Sequence, residues 1–366
     1  METASALTTE QSAPVLALSP FRALRLANSY VGDPVANRIF ARPYRSVPDR
    51  LRESRRKRHL VRDPDPAFYI HEYTSSGVTV RGLVANLELG PSEARVLPHE
   101  DVQPAQVDQL ADRMVEMSLN PAPILLVHRG PAQVRSVIAE QVRREPDLVY
   151  TDRADQLQRI WRLTDPSVLD VLATSMAAST TFIADGHHRY AAAQRLRERA
   201  PGTGWERTLA MVIDHDDTPL QLCAIHRTVP RVSLDLVAST ADTVGGVFRR
   251  HDTSHSALAK LGRSLVLHDG RDWATLTPAD ADRLLVCWLH EDVLDAWQVP
   301  SSRVAFHHSA TAALERAGSD VAVLLPAPSF DKVSASAMSG HLLPEKATSF
   351  QPKPHLGVIM REVRQG

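Results

Sequence analysis

Asp185-Gly186-His187-His188-Arg189-Tyr190 stands between a short apolar run, Phe182 to Ala184, and a helical run with alanines, Arg195 and Leu196. An acid, a glycine, two histidines and an arginine are thus gathered where a strand turns into a helix. Ligand sites in α/β folds commonly form at such turns. Gly186 lets the backbone approach a ligand closely. The N–H groups that open the helix, together with Arg189, suit a phosphate or another anion. Asp185 can hold a metal ion or accept a proton. A simpler arrangement uses the same residues: Asp and Gly form an N-cap in a turn, and the two histidines point in different directions.

Three further polar clusters lie at strand ends or in loops. In His99-Glu100-Asp101, a Glu beside a His can act as a general base on a hydroxyl, or the group is a surface acidic turn. In His226-Arg227, which follows Cys223-Ala224-Ile225, the arginine can clamp a phosphate or carboxylate, or form a surface ion pair. In Pro344-Glu345-Lys346-Ala347-Thr348-Ser349-Phe350, with Lys353 nearby, the lysine and hydroxyls suit phosphate neutralisation, or make a polar loop. The chain has no GxxxxGK[ST] loop, no GxGxxG after a strand, no HExxH helix and no GxSxG nucleophile elbow. The pair His307-His308 has no carboxylate cluster nearby in sequence and is assigned a structural role.

The elements that must position these groups follow from the pattern. Phe68 to Tyr73 and Thr79 to Leu89 read as a hairpin turning at Ser75-Ser76-Gly77. Leu83, Ala85, Leu87 and Leu89 share one face of its second strand, and Val84, Asn86 and Glu88 the other, which predicts a half-buried strand. Gln106 to Leu119 has helical spacing. Ile124 to His128 is a buried strand and Pro131 to Arg143 a helix. Leu157 to Leu163 is a strand, and Pro166 to Ala178 a helix capped by Asp165 with Pro166 first. Strands follow at Leu209 to Asp214 and at Leu222 to His226, which closes with Arg227. Beyond it come a helix at Leu234 to Val247, strands at Leu284 to Trp288 and Val321 to Leu325, a helix from Val333, a loop from Leu342 to Pro354 and a last strand at Leu356 to Met360. Strands and helices alternate throughout, so the fold class is mixed α/β. The expected division is a floppy extension over 1–14, an α/β domain over 15–230 and a second α/β domain over 231–366 that contributes the lysine loop.

The 366 residues are 43% hydrophobic and 23% charged, with net charge -1. Neutrality implies no global attraction to nucleic acid or anionic membrane, so any anion site must be local. The basic run Asp49 to His59 lacks interleaved aromatics and reads as a solvated helical face; the alternative is a nucleic-acid patch. Cys223 and Cys287 sit in apolar runs as packed core residues, with neither a disulfide framework nor a zinc spacing. No apolar stretch is long enough to span a membrane, and the first residues lack the make-up of a signal peptide. The expected location is the cytoplasm.

Taken in order, these clusters resemble the family catalogued as domain of unknown function 1015. The resemblance runs through Pro20-Phe21-Arg22-Ala23-Leu24-Arg25, Arg42-Pro43-Tyr44, Leu97-Pro98-His99-Glu100, Asn120-Pro121 and Trp161 to Pro166. It continues through Ala184 to Tyr190, His226-Arg227 and Pro344 to Lys353, then Gly357. Its Asp-Gly-His-His-Arg core is similar to that of free serine kinases built on the ParB/sulfiredoxin-like nucleotide-binding fold. The resemblance therefore implies a kinase that uses ATP or ADP with Mg²⁺ and acts on the hydroxyl of a small metabolite such as free L-serine. The alternative is a ParB-like nucleotide-binding regulator associated with nucleic acid. By the same resemblance Glu100 is the base, with Asp185 and His187 as its catalytic partners and Asp185 as the Mg²⁺ ligand. Gly186, His188, Arg189, His226, Arg227 and Lys346 take the nucleotide, and His99 and Tyr44 the acceptor. Arg45-Ser46-Val47 replaces the family's acid after Pro-Tyr, and Asp101-Val102 replaces Arg-Thr after His-Glu. If either position touches the acceptor, the acceptor differs from serine.

Overall fold

The computed structural model describes residues 14–33, 47–318 and 320–363. Tyr44 and the Arg45-Ser46 departure lie outside the described residues. The hairpin forms as the pattern predicts, from Phe68–Ser75 and Val78–Glu88. Ser75 faces Val78 across a two-residue loop in which Ser76 and Gly77 both have positive φ. That backbone matches the right-handed twist of the two strands, so the turn fixes their register.

The hairpin lies within a nine-stranded sheet. From one edge the order is Val96–Leu97, Thr181–Asp185, Ile124–His128, Arg207–Asp214, Val78–Glu88, Phe68–Ser75, Leu157–Leu163 and Leu148–Thr151, and Leu18–Ser19 pairs alongside Val78–Glu88. Arg207–Asp214 runs parallel to Ile124–His128, and Thr181–Asp185 antiparallel to it. The fold class is mixed α/β.

The half-buried expectation for Val78–Glu88 is corrected, because the strand is buried on both faces. Leu83, Ala85 and Leu87 pack with Val107, Met114, Tyr190 and Leu196 of the helices Pro104–Met117 and His187–Arg199. Val80 and Val84 belong to the opposite core, which extends to Leu267 and Val323 of a second sheet. Alternation of side chains within a strand does not reveal that a second layer covers the other face.

The second sheet is antiparallel, in the order Gly246–His251, Trp273–Pro278, Leu265–His268, Val321–Leu324, His226–Val229, Ala305–His307. Three sequence expectations fail here. Leu222 to His226 is not one strand. Gln221–Cys223 pairs with Ser349–Gln351, and His226–Val229 belongs to the second sheet, so Arg227 sits inside a strand. The helix from Leu234 stops at Thr240, and the chain resumes as a strand at Gly246. Leu285–Trp288 is helical, because a short, fully buried apolar run reads alike in a strand and in a core helix. The last strand is Met360–Glu362, paired with Ala23–Leu24 and Leu119–Asn120.

The basic run forms the helix Val47–Arg56. Arg52 pairs with Asp49, Lys57 with Glu53 at 2.7 Å and Arg55 with Glu362 at 2.5 Å. Exposed cations satisfied by neighbouring carboxylates are what a solvated face contains. Among the described residues no helix is long and apolar enough to cross a membrane.

Candidate active site

The motif strand Thr181–Asp185 ends at the expected turn, and the helix His187–Arg199 begins immediately after it. Gly186 is the N-cap, with φ 101°, and no side chain caps the helix. The capping alternative is met by Gly186 and not by Asp185. Asp185 does not cap the helix; one of its carboxylate oxygens takes Arg189 and the other Lys353. A Cβ at position 186 would stand 3.0 Å from Nη2 of Arg189, a tight contact that the flexible guanidinium could relieve, so it is the positive φ that favours glycine here. Burial pushes the Asp185 carboxyl upward. Arg189 and Lys353 outweigh that and hold it below the usual carboxylate range. The uncapped amides that open the helix leave an anion-ready N-terminus.

The two histidines diverge. His187 turns inward, and its Nε2 accepts the backbone N–H of His99 at 3.4 Å. The rings of His99 and His187 meet edge to face, with centroids 4.6 Å apart. Burial holds both imidazoles neutral, His99 at about 4 and His187 well below its ordinary value. His188 faces the Asp101–Gln103 loop, where its Nε2 accepts the N–H of Gln103 at 3.3 Å.

Glu100 follows His99 just beyond the edge strand Val96–Leu97, its Oε1 3.8 Å from Nε2 of His99. Its Oε1 accepts two hydrogen bonds from Thr348, from the backbone N–H at 2.8 Å and from the hydroxyl at 2.7 Å. Among the described residues no protein donor reaches Oε2. Nε2 of His99 is 2.9 Å from the same hydroxyl. Burial raises the Glu100 carboxyl above its ordinary value against the opposing pull of Thr348, Lys346 and Arg227.

Arg227 and Lys346 come together, with their roles separated. Arg227 is fully buried, donates to the carbonyls of Ile225 and Lys346, the latter at 2.9 Å, and lies 5.0 Å over the Phe306 ring. Burial brings its pKa down to about 9, while Glu100 opposes the shift. Lys346 has φ 59°, so Arg227 anchors the carbonyl of a residue in the left-handed region while the lysine side chain is exposed. Nδ1 of His226 accepts the N–H of Leu325 at 3.2 Å inside the second sheet, which joins strands. Nε2 of His307 lies 2.7 Å from the Thr228 hydroxyl on the neighbouring strand.

The group that sequence reasoning undervalued is the segment Leu343 to Lys353. Leu343 bridges to Glu100, Thr348 bonds Glu100 and His99, and Lys353 pairs with Asp185. One stretch of chain thus serves both acids. Its far end is fixed by Gln156, whose side chain donates to the Lys353 carbonyl at 3.1 Å and accepts from the His355 N–H at 3.2 Å. Next to Asp101, the residue after Glu100, a cleft of about 780 Å³ is lined also by Gln103, Glu345, His290 and Phe306. Mg²⁺ commonly binds one or two carboxylates together with substrate phosphates; Asp185 could serve it only if Lys353 left the carboxylate oxygen it now holds.

Fold and site together define a mixed α/β protein with an uncapped, cation-flanked helix N-terminus beside a half-buried glutamate. The chain belongs to the family described as "Protein of unknown function (DUF1015)", which matches residues 6–297. That stretch includes Glu100 and Asp185 to Arg189 and ends before Leu343. No curated protein matches the sequence. Among solved structures, a free serine kinase in complex with AMP is 12% identical, with TM-score 0.44 over 74% of this chain and 89% of that one. A conserved hypothetical protein from Pyrococcus furiosus is 15% identical, with TM-score 0.42 over 74% of this chain and 92% of that one. SbnI from Staphylococcus aureus, truncated at its C-terminus, is 11% identical, with TM-score 0.43 over 74% of this chain and 84% of that one.

Proposed function

We propose that the protein is a phosphotransferase that moves a phosphoryl group from ATP or ADP to the hydroxyl of a small metabolite. Free L-serine and related hydroxy amino acids are the first acceptors to test. The observation that carries this reading is the pairing of two carboxylates in opposite environments beside an uncapped helix N-terminus, joined by the segment Leu343 to Lys353. Environments that push two acids apart assign them different roles.

Glu100 is the base. Its Oε1 is held by Thr348, which leaves Oε2 to take the acceptor proton, and its raised pKa brings it closer to the working pH. As that proton leaves, the acceptor oxygen bonds to phosphorus and the bond from phosphorus to the departing nucleotide breaks. The amides of the helix N-terminus, with Arg189, Lys353 and Lys346, neutralise the phosphate charge, and positioning together with charge neutralisation supplies most of such catalysis. Mg²⁺, when bound, would be held by Asp185 and the phosphates and would supply further neutralisation. Lys353, exposed and flexible, is the partner of Asp185 able to turn toward a phosphate instead. His99 and His187 remain neutral and fix the position of Glu100 relative to the motif helix, and Arg227 holds the Lys346 loop in place. The cleft next to Asp101, with Glu291 and Glu345 in its lining, suits an acceptor that carries an amine.

The test is to incubate the full-length protein with ATP or ADP, Mg²⁺ and a panel of hydroxy amino acids, and to follow new phosphate esters by phosphorus NMR. A phosphorylated acceptor is expected. Failure to consume nucleotide with any acceptor, together with no nucleotide binding by calorimetry, overturns the reading.

A further inference from the structure

Away from the phosphate side of the site, Cys287, Glu291 and His341 bring a thiol, a carboxylate and an imidazole together. One ligand atom from each lies within 4.8 Å of the other two. Among the described residues no other three metal-ligating side chains gather this closely. Cys287 and Glu291 stand one turn apart on a helical run from Leu285 to Ala296 whose middle, Leu289–Val293, is wound as a π-helix. Such widened turns recur at functional sites because they re-aim side chains.

His341 comes from the turn after the helix Phe330–Met338. Its ring is exposed but its backbone is pinned twice by Ser336. The N–H donates to the Ser336 carbonyl at 3.0 Å, and the carbonyl accepts the Ser336 hydroxyl at 2.7 Å. Glu291 divides its oxygens. Oε2 accepts from Arg283 at 2.9 Å, and Oε1 faces Nε2 of His341 at 3.9 Å. An outer partner on one oxygen and a ligand position on the other is how ligating carboxylates are commonly oriented. Zinc ligands sit roughly 2.0–2.3 Å from the metal, so neighbouring donors stand on the order of 3.5 Å apart. Small side-chain rotations close the present spacing to that value.

We propose that Cys287, Glu291 and His341 form a binding site for a zinc-class divalent cation. Thiolate with imidazole selects zinc and its neighbours over the hard cations Mg²⁺ and Ca²⁺, and three protein ligands leave a fourth position for water. Glu291 also lines the cleft beside Asp101 and Glu345, so that position is open to solvent. The bound ion joins the helix that carries His290 to the turn just before Leu343, whose backbone bridges to Glu100. This inference stands independently of the phosphotransferase reading, since its observations are ligand geometry alone.

The test uses metal-free full-length protein titrated with Co²⁺ as a spectroscopic stand-in for zinc. A thiolate-to-cobalt charge-transfer absorption should saturate at one equivalent and vanish when Zn²⁺ is added. Cys287→Ser should abolish it, and Cys223→Ser should leave it intact. His341→Ala should weaken cobalt binding by more than ten-fold, and Arg283→Ala by about ten-fold, as expected for an outer partner. Cys287 is buried, so if its serine variant fails to fold, the exposed His341 decides the matter. No charge-transfer band, or an undiminished band in His341→Ala, overturns the site.

Discussion

Asp185 ends one strand, Glu100 lies just beyond the neighbouring edge strand, and one C-terminal segment serves both, yet they stand in opposite electrostatic conditions. Asp185 is half-buried between two cations, and its carboxyl is held below its ordinary range. Glu100 is half-buried beside the neutral His99 and bonded by Thr348, and desolvation raises its carboxyl. Burial acts the same way on both, so the difference comes from the partners: full opposing charges at one acid, hydrogen bonds and more distant cations at the other. One acid is thus fixed as an anion, and the other is able to exchange a proton. The signs of their linkage to stability differ as well. The depressed Asp185 stabilises the fold above its unfolded pKa, and that contribution is lost as pH falls. The raised Glu100 favours the fold in its protonated form, and that contribution is lost as pH rises through its folded pKa.

The strongest way to break the contrast is Glu100→Gln. Removing the proton acceptor should lower turnover by about 10²–10⁴-fold, while calorimetry should find nucleotide affinity unchanged. The same substitution removes a desolvated charge, so thermal unfolding at neutral pH should occur no lower than in the parent. Asp185→Asn should instead lower it, because Arg189 and Lys353 lose their anion. If both variants shift the unfolding temperature in the same direction, the two environments are not opposed.

Next in size is Arg189→Ala. Charge-assisted hydrogen bonds contribute about 1.5–3 kcal/mol, so nucleotide affinity should fall by about 10–100-fold. Glu100 should keep its pH dependence. Arg227→Met is a smaller perturbation. It leaves the carbonyls of Ile225 and Lys346 without their donor, at a cost of about 1–3 kcal/mol in urea unfolding, with the loss in turnover following from the loosened Lys346 loop. Unchanged stability would mean that those carbonyls find other donors and that Arg227 does not anchor the loop.

How far the sequence carries depends on whether a signal is local. The motif turn is legible because strand, glycine and helix are contiguous, and Asp165 as a cap follows from its own neighbours, its carboxylate accepting the Ser167 N–H at 2.8 Å. The divergence of His187 and His188 follows from their adjacency on a helix. The partners of the two acids are not legible, because Thr348 and Lys353 lie far along the chain from Glu100 and Asp185. No spacing rule connects a strand end to a loop that returns after a second sheet has formed. The second sheet itself is poorly legible for a related reason. Leu285–Trp288 is apolar on every side, which conceals its period, and the strand His226–Val229 is separated from Gln221–Cys223 only by where each finds a partner. The sequence leaves Arg227 as an anion clamp or a surface ion pair, because an arginine beside a histidine carries no sign of burial; its full burial and carbonyl partners come from the fold.

The finest test of the contrast is Thr348, which bonds Glu100 twice from one residue. Thr348→Val keeps the backbone N–H and removes the hydroxyl, so Glu100 loses one of the two bonds that favour its ionised form. Its carboxyl should rise further, and the acid limb of the kcat/KM profile should move to higher pH. A net hydrogen bond of about 0.5–1.5 kcal/mol corresponds to a loss of about two- to ten-fold. That loss should be confined to the acid side of the profile and should vanish where the glutamate is fully ionised. Thr348→Ser should restore the parent profile, since it returns the donor without the methyl. A uniform loss at every pH would mean that Thr348 only packs the segment against His99. An unshifted limb in the valine variant would mean that the titrating group is some residue other than Glu100.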